Sequence, residues 1–442
     1  MTSTESAWGE WDHPSSPCGF IPPPSIQMAD IKNIGSCFVF SGKNKIRLRF
    51  RKEARVDFLY NQDAQPGIPI SSLQTSIRTF FRKNHSAFSN KKVGIVIPDP
   101  TRDFHSRAIL KPIAGELKKI TGGFEFMISL GLHQRLSGTG LMDFLGEPLI
   151  RENQIVQHSP KEVIALSIIH GVRATLNRRL FSYDVIITVG VVEPHLYAGF
   201  SGGVKCLAIG LAGQETILHT HSPEYISQKG VRVSNIRANP FQHFLWEVCR
   251  KLDIPVYSLN LVNNQQKEIA FYSMGEARRS FTESVKAARE IYSYRVRDPF
   301  DLLFVGCDSP KDRSLYQASR LFNYVLEKKR LIKKGGIICV FAGLNAQGES
   351  QAEKNFESLL KKSGLPDAYG FRKPGEHRTY KVIEASRTGR LCFITPNIPK
   401  GGFPCLIFFG HYLDALNWAQ DQFGKNLKVG VIPSGFSFIP CP

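Results

Sequence analysis

The sequence predicts an α/β protein of two domains, each with a mainly parallel sheet flanked by helices, and with the active site in the cleft between the domains. Three observations support this fold class. A chain of 442 residues is longer than one ordinary hydrophobic core requires. Its 42% apolar and 21% charged residues are typical of a globular protein. Strand-like apolar runs alternate with amphipathic helical segments, which is the pattern of parallel sheets covered by helices.

The first half of the chain shows this alternation. Short apolar runs such as "VGIVIPD" predict buried strands, and apolar residues at helical spacing, as in "SRAILKPIAGELKKI", predict amphipathic helices. The predicted strands are 93–99, 124–131, 183–190 and 254–262. The predicted helices are 106–120 and 239–252. A short β-rich segment at 36–75 is expected to precede them.

The alternation restarts after a long helical segment at 275–294, which we interpret as a connector. The strands predicted beyond it are 301–306, 335–343, 390–396 and 427–433, with helices at about 312–333, 351–363 and 410–423. The predicted organisation is a Pro- and Ser-rich flexible extension at 1–35, an N-terminal α/β domain at 36–274, a helical connector at 275–296 and a C-terminal α/β domain at 297–442.

Composition and charge indicate the cellular compartment of the protein and the class of its binding partners. No apolar run approaches the roughly 20 residues of a membrane span, and the N-terminus lacks the basic start and apolar core of a secretory signal. The nine cysteines are scattered without a CxxC pair, which favours buried thiols in the cytoplasm. The net charge of +19 would suit nucleic acid or anionic lipid. Because no nucleic-acid module accompanies the charge, a generally basic proteome or a set of anionic ligands is favoured over nucleic-acid binding as its explanation.

Polar side chains follow several predicted strands where those strands end. Asp99 and Arg102 in "PDPTRD" follow the first strong strand, His133 follows the next, and His195 follows "YDVIITVG". In the second half, "GCDSPKDRSLYQASR" follows "DLLFVG". Ligands of open α/β sheets bind beyond the carboxyl ends of the strands. These residues are therefore expected at one shared site.

The stretch "VGVVEPHLYAGFSGGVK" at 189–205 contains four glycines, and its last eleven residues hold a histidine, three of these glycines and a lysine. It is not a phosphate-binding P-loop, because that motif needs Gly before its Lys and Ser or Thr after it. Here Val204 precedes Lys205 and Cys206 follows it. The glycines must therefore serve another purpose.

The residues "VEPHLYAGFSGGVK", then "ETILHTH", with "PDPTR" and "GLH" upstream, resemble the nickel-dependent lactate racemase family. The resemblance covers the chain from about residue 40 to its end. It implies a nickel-pincer nucleotide, a pyridinium-3,5-bisthiocarboxylic acid mononucleotide that holds nickel through two sulfurs and a ring carbon. The resemblance implies that Lys205 carries this cofactor through a thioamide and that His221 completes the coordination of nickel. It further implies that His133 and His195 are the acid/base pair.

Further positions match the family's site. Matched to the cofactor side are Asp99, Thr101, Gly199, Ser201, Gly202 and Gly203. The three glycines are expected to let backbone amides approach a flat cofactor and its phosphate. Matched to the substrate side are Arg102, Gln317 and Arg320. A bidentate guanidinium suits the carboxylate of a 2-hydroxy acid.

The chemistry explains the residue types. The C–H bond beside the hydroxyl of a 2-hydroxy acid is not acidic, so hydride removal coupled to loss of the hydroxyl proton is the easier route, and it needs a general base. An enzyme that acts on both enantiomers needs a general base on each face of the reacting carbon. Histidine suits both positions because its pKa lies near working pH. His219 is an alternative nickel ligand, but the spacing of sixteen residues from Lys205 favours His221.

Three departures from the family bear on the substrate. Ile209-Gly210 stands where Pro-Gly is common, Gln134 follows His133 where Arg is frequent, and Arg320 replaces a Lys. We predict a cytoplasmic isomerase that racemises or epimerises a 2-hydroxy acid, with host maturation proteins as partners and no membrane association. The alternatives are an inactive binding homologue and a basic nucleic-acid-binding protein. The other patternless histidines are interpreted as structural: His105, His158, His170, His243, His377 and His411.

Overall fold

The structure is a computed structural model that describes residues 36–51, 55–60, 66–102, 104–326, 331–346, 350–362 and 373–441. The predicted extension at 1–35 and residues 327–330 of the predicted helix at 312–333 lie outside these ranges, and the last two residues of that predicted helix begin a strand. Within the described ranges, no helix is long and apolar enough to cross a membrane.

The described residues form twenty strands, most of which belong to two large sheets. In chain order the strands are β1 Ser36–Gly42, β2 Asn44–Arg49, β3 Arg55–Phe58, β4 Lys92–Pro98, β5 Gly123–Ser129, β6 Gln154–Gln157, β7 Val163–Ile169, β8 Val172–Asn177, β9 Val185–Val191, β10 Pro194–His195, β11 Gly199–Phe200, β12 Val256–Asn263, β13 Ile269–Glu276, β14 Ser293–Arg295, β15 Phe300–Asp308, β16 Ile332–Phe341, β17 Arg390–Ile394, β18 Leu406–Phe409, β19 Lys428–Ile432 and β20 Ile439–Cys441.

Helices connect and cover these strands. In chain order the α-helices are α1 Ile70–Lys83, α2 His85–Phe88, α3 Ser106–Ile120, α4 Gly138–Leu145, α5 Glu147–Glu152, α6 Lys205–Ala208, α7 Gln214–Thr220, α8 Pro223–Ile226, α9 Pro240–Leu252, α10 Ala277–Tyr292, α11 Leu315–Ala318, α12 Arg320–Leu326, α13 Gln351–Leu360, α14 Glu376–Ser386 and α15 Tyr412–Phe423. Short 3₁₀ helices lie at Arg178–Ser182, Lys311–Arg313 and Gly435–Ser437.

The first large sheet has six strands in the order β13-β12-β9-β4-β5-β6. All neighbours are parallel except β12 and β13, which are antiparallel. The chain moves from β4 to β5 and β6 on one side and later returns to β9 on the other side of β4. The strand order therefore reverses between β4 and β9, where open α/β sheets bind their ligands.

The second large sheet has eight strands and takes in the start of the chain. Its main path is β18-β17-β16-β15-β1-β2, while β19 pairs with β15 and β3. The predicted boundary groups residues 36–58 with the first sheet, and their strand pairing differs from that prediction. Apolar residues of β1 to β3, such as Val39, Leu48 and Val56, pack into the same core as Phe304 and Val431 of this sheet. Burial of these side chains explains the pairing.

The mixed α/β fold with mainly parallel sheets and flanking helices is confirmed. One buried cluster includes Val96 and Ile186 of the first sheet together with Leu303 and Val340 of the second, so apolar packing continues from one sheet to the other. The predicted connector is observed as α10, and its inner face, including Phe281 and Val285, is buried. The predicted helix at 312–333 is broken into α11 and α12 around Ser319. The hairpin β7–β8 and helix α14 are additions that the sequence pattern does not predict.

Candidate active site

The loops that follow β4, β5 and β9 meet at a cavity of about 220 Å³. Eleven of the thirteen predicted site residues line it: Asp99, Thr101, Arg102, His133, His195, Ser201, Gly202, Lys205, His221, Gln317 and Arg320. Residues of α11, α12 and α14 close the opposite wall. The fold therefore brings together side chains that lie more than two hundred positions apart.

His133 is held by the carboxylate of Asp99. Its Nδ1 lies 2.5 Å from Oδ2 of Asp99, and the backbone N–H of Thr101 donates to Oδ1 at 3.0 Å. Burial works to raise the pKa of Asp99, but His133, Thr101 and Arg102 outweigh it and lower that pKa to about 2. Burial likewise works against the His133 cation, yet Asp99 prevails and raises the His133 pKa. The carboxylate thus fixes a proton on Nδ1 and leaves Nε2 available.

His195 has the opposite arrangement. Its Nδ1 accepts hydrogen bonds from the backbone N–H groups of Tyr197 and Ala198 at 3.2 and 3.1 Å. The neutral ring therefore carries its proton on Nε2. Burial first, and then the charges of Lys205 and Arg320, lower the pKa of His195 well below its ordinary value. The two histidines face one cavity with different nitrogens protonated.

Lys205 begins the short helix α6 and lines the cavity. Its amine makes no hydrogen bond or salt bridge within the described part of the chain. Burial, followed by repulsion from Arg102 and Arg320, lowers the pKa of Lys205 to about 7. A substantial share of this amine is therefore neutral, and thus nucleophilic, near neutral pH.

His221 follows α7 and presents one ring nitrogen to the cavity. Its Nδ1 donates to the carbonyl of Ile217 at 2.9 Å, which leaves the lone pair of Nε2 free for a metal. Burial is the main reason that its pKa falls to about 3. The rival His219 is exposed and does not line the cavity. The geometry favours His221.

Gly199 and Gly203 do not line the cavity, unlike the other predicted site residues. Both have positive φ angles. A Cβ atom on Gly199 would lie 2.0 Å from the carbonyl oxygen of Asn235, and one on Gly203 would meet the ring of Phe281 at 2.9 Å. The amide of Gly203 donates to Asn260 at 2.7 Å. Packing within the protein therefore explains why these two positions are glycine.

Arg102 is already paired, which the sequence does not indicate. Its guanidinium forms a salt bridge with Glu193. The same carboxylate forms a second salt bridge with Lys311, whose Nζ lies 2.9 Å from Oε1. Lys311 is buried and comes from the 3₁₀ helix after β15. Glu193 therefore joins the loop after β4 to the second half of the chain. Its two cationic partners offset the cost of burying the carboxylate.

Arg320 remains open toward the cavity. It is 8% exposed, its Nη1 donates to Oε1 of Gln317 at 3.2 Å, and its Nε has no hydrogen-bond partner among the described residues. Gln317 is thus a neutral support for the guanidinium. A buried cation without a carboxylate partner is costly unless an anion binds there.

Several residues of this wall escape sequence reasoning. The pattern indicates a structural role for His377, but its ring lies 5.2 Å from that of His221, centroid to centroid, and it lines the cavity. Arg378, Tyr197 and Tyr316 also line it. His377 and Arg378 belong to α14, whose position follows from tertiary packing. No spacing in the sequence points to them.

Comparison with known proteins finds similar sequences. Residues 42–233 match the lactate racemase N-terminal domain family. The chain is 25% identical over 383 residues to a lactate racemase of Thermoanaerobacterium thermosaccharolyticum, covering 80% of this chain and 85% of that protein. It is also 25% identical over 263 residues to a lactate racemase of Lactiplantibacillus plantarum, covering 56% of this chain and 59% of that protein.

Solved structures share the fold. The lactate racemase apoprotein from T. thermosaccharolyticum superposes with a TM-score of 0.80 at 20% identity, covering 92% of this chain and 100% of that one. A protein from Thermotoga maritima superposes with a TM-score of 0.66 at 15% identity, covering 86% of this chain and 100% of that one. At these identities the likeness shows the fold.

Fold and cavity together define the class: an α/β protein built like a lactate racemase, with imidazoles at the carboxyl ends of parallel strands. The resemblance that the motifs indicate is confirmed, because the N-terminal part of the chain matches the lactate racemase N-terminal domain family and the chain is similar to lactate racemases along most of its length. This similarity supports a racemase activity.

Proposed function

We propose that the protein racemises or epimerises a 2-hydroxy acid by proton-coupled hydride transfer, with a nickel-pincer nucleotide attached to Lys205. The observation that carries this proposal is the convergence of four groups on one cavity: His133, His195, Lys205 and His221. His133 and His221 each keep Nε2 as an acceptor, the amine of Lys205 has a lowered pKa, and His195 carries its proton on Nε2. The cytoplasmic location and the maturation partners stay predictions of the sequence.

The residues present fit the cofactor. Lys205 offers an amine of lowered pKa, about 7, and His221 offers a free Nε2 with its other nitrogen fixed by Ile217. Asp99 and Thr101 are engaged with each other, so they position His133 and are not assigned to the cofactor. When bound, the cofactor would supply a reversible acceptor for the hydride of substrate C2.

His133 is the group best placed to take the hydroxyl proton. Its side chain is 46% exposed, its Nδ1–H faces Asp99, and Nε2 can accept a proton. Once protonated, the ring gains from the adjacent carboxylate, as the raised pKa of His133 reflects. The products of this step are a planar 2-keto acid and a protonated His133.

One anchor is available for the carboxylate next to C2. Arg320 offers an unpaired Nε to it, whereas Arg102 lines the cavity but is already paired with Glu193. Binding of the substrate carboxylate to Arg320 would keep the keto acid in the cavity while either face of its C2 turns toward the returning hydride. This retention is what allows the hydrogen to return to either side.

The proposal is tested by supplying single enantiomers of lactate and malate to the loaded protein in D₂O. We expect both enantiomers to form, with ordinary hydrogen retained at C2, because a hydride does not exchange with solvent. Chiral chromatography and NMR measure these outcomes. Unloaded protein is the control and should be inactive. Deuterium gained at C2 with each turnover would show a carbanion route, and no racemisation of either acid would refute the proposed function.

A second test concerns the nickel ligand. Replacing His221 by alanine leaves the metal one protein ligand short, so we expect nickel to be lost or loosened while the organic adduct persists. His219→Ala is the matched control, since His219 lies two residues away and is exposed. Metal analysis and intact-mass spectra measure both quantities. Nickel retained in His221→Ala but lost in His219→Ala would transfer the role to His219.

A further inference from the structure

Arg378 is a buried cation without a described partner at the active-site cavity. It lies on α14, is 5% exposed and lines the cavity. Its Nε and Nη1 make no hydrogen bond within the described residues, and no salt bridge to it is found there. Burial of an unpaired guanidinium is strongly unfavourable, so such a group is expected to meet an anion in the working protein.

The surroundings of Arg378 form a built site. Its guanidinium carbon lies 5.6 Å from the ring centre of Tyr316 and 6.0 Å from that of Tyr197. The hydroxyl of Tyr197 is also buried and has no partner among the described residues. The guanidinium of Arg378 and the hydroxyl of Tyr197 together offer several hydrogen-bond donors and no negative charge. Such a pair suits the binding of an anionic oxygen group.

This site adjoins the reacting groups. The ring of Tyr197 lies 6.0 Å from that of His195 and 5.4 Å from that of His221, centroid to centroid. The Arg378–Tyr197 pair therefore sits one side chain away from where C2 would react. A group bound there would lie beside both the acid/base residue His195 and the proposed nickel ligand His221.

The charges of the cavity exceed what a monocarboxylate needs. Arg102 is paired with Glu193, which it shares with Lys311, and Asp99 is engaged with His133, which leaves Arg320 and Arg378 as the open guanidiniums of the described cavity wall. One carboxylate satisfies one of them. The second calls for another anionic group, either a second carboxylate of the substrate or the phosphate of the cofactor.

We propose that the substrate is a 2-hydroxy acid with a second carboxylate, held by Arg378 and the hydroxyl of Tyr197 while Arg320 holds the carboxylate next to C2. This inference rests on the proposed function, because it specifies the class of 2-hydroxy acid. The second carboxylate must stand on a short chain, because Tyr197 lies beside both Arg378 and the ring of His195. Malate has this form and serves as the probe.

The test compares malate with lactate on the nickel-loaded protein, by calorimetric binding and by racemisation. Wild-type protein should bind malate about 10- to 100-fold more tightly than lactate, the range expected for one charge-assisted interaction. In Arg378→Gln this ratio should fall to about 1, and Arg378→Lys should restore part of it. Arg387→Gln is the matched control, because Arg387 is exposed at the end of the same helix; its ratio should stay at the wild-type value.

Three outcomes would overturn the proposal. The first is a wild-type preference for lactate, and the second is a malate-to-lactate ratio that Arg378→Gln leaves unchanged. The third is loss of the covalent adduct or of nickel in Arg378→Gln, which would assign Arg378 to the cofactor. Binding of malate that depends on Arg378, without any racemisation, would support the anion site and refute the proposed function.

Discussion

Replacing Lys205 by alanine is expected to abolish both racemisation and the covalent adduct. Among the described residues, Lys205 is the one lysine that lines the cavity, and its amine is unpaired there with a pKa lowered to about 7. Loss of activity should reach the background of the assay, beyond the about 10²- to 10⁴-fold cost of losing one general base. Intact-mass spectra should show an adduct of a few hundred daltons on wild-type protein and none on the variant.

Two further variants separate nucleophilicity from charge. Lys205→Arg keeps a cation, but a guanidinium stays protonated and cannot attack an activated carboxyl group, so this variant should also lack the adduct. Lys229→Ala removes an exposed lysine of the same region and should load normally. An adduct of unchanged mass on Lys205→Ala would show that attachment occurs elsewhere.

The pH dependence of loading follows from the same pKa. Because the attacking amine must be neutral, attachment should accelerate as pH rises toward about 7 and level off above it. An exposed lysine, with an ordinary pKa of about 10.4, would show a rate still rising at pH 9. Time-resolved mass spectra of unloaded protein mixed with cofactor distinguish these profiles.

The sequence predicts much of the fold because its strands are short, apolar and well separated. Predicted strands at 93–99 and 183–190 appear as β4 Lys92–Pro98 and β9 Val185–Val191, and the helix at 106–120 appears with those bounds as α3. Side chains at the carboxyl ends of parallel strands share one edge by geometry. The strand pattern alone is therefore enough to predict that Asp99, His133 and His195 lie close together.

The remainder depends on contacts that no local pattern records. Strands β1 to β3 join the second sheet because their apolar residues fit its core, far along the chain. The Arg102–Glu193–Lys311 network and the position of Arg378 likewise follow from packing between distant segments. The sequence pattern suggests a cofactor role for the glycines of this motif, and the close approach of Gly199 to Asn235 adds a packing reason that the pattern does not show.

The two histidines should be separable by the hand of the substrate. If they lie on opposite faces of the planar keto acid, each is the base for one enantiomer and the acid for the other. His133→Ala and His195→Ala should each lose complete racemisation. Each should still carry out the first half-reaction of one enantiomer, and that enantiomer should differ between the variants.

The structure also predicts which of the two half-reactions is faster. His133 has a free Nε2 and a carboxylate behind Nδ1, so it is ready to accept a proton. His195 carries its proton on Nε2, because the amides of Tyr197 and Ala198 hold Nδ1 as an acceptor. The first half-reaction that uses His133 should therefore be the faster one in wild-type protein. His195 must rearrange its proton or its ring before it can act as a base.

Single-turnover absorbance of the loaded protein, given one enantiomer at a time, measures these rates. His133→Ala should lose the faster enantiomer by about 10²- to 10⁴-fold and keep the slower one, and His195→Ala should do the reverse. Asp99→Asn should lower the pKa of His133, since the carboxylate is what raises it. The rate of the faster half-reaction should then begin to rise at a lower pH than in wild-type protein. If both histidine variants lose the same enantiomer and keep the other, a base on each face is the wrong mechanism for this protein.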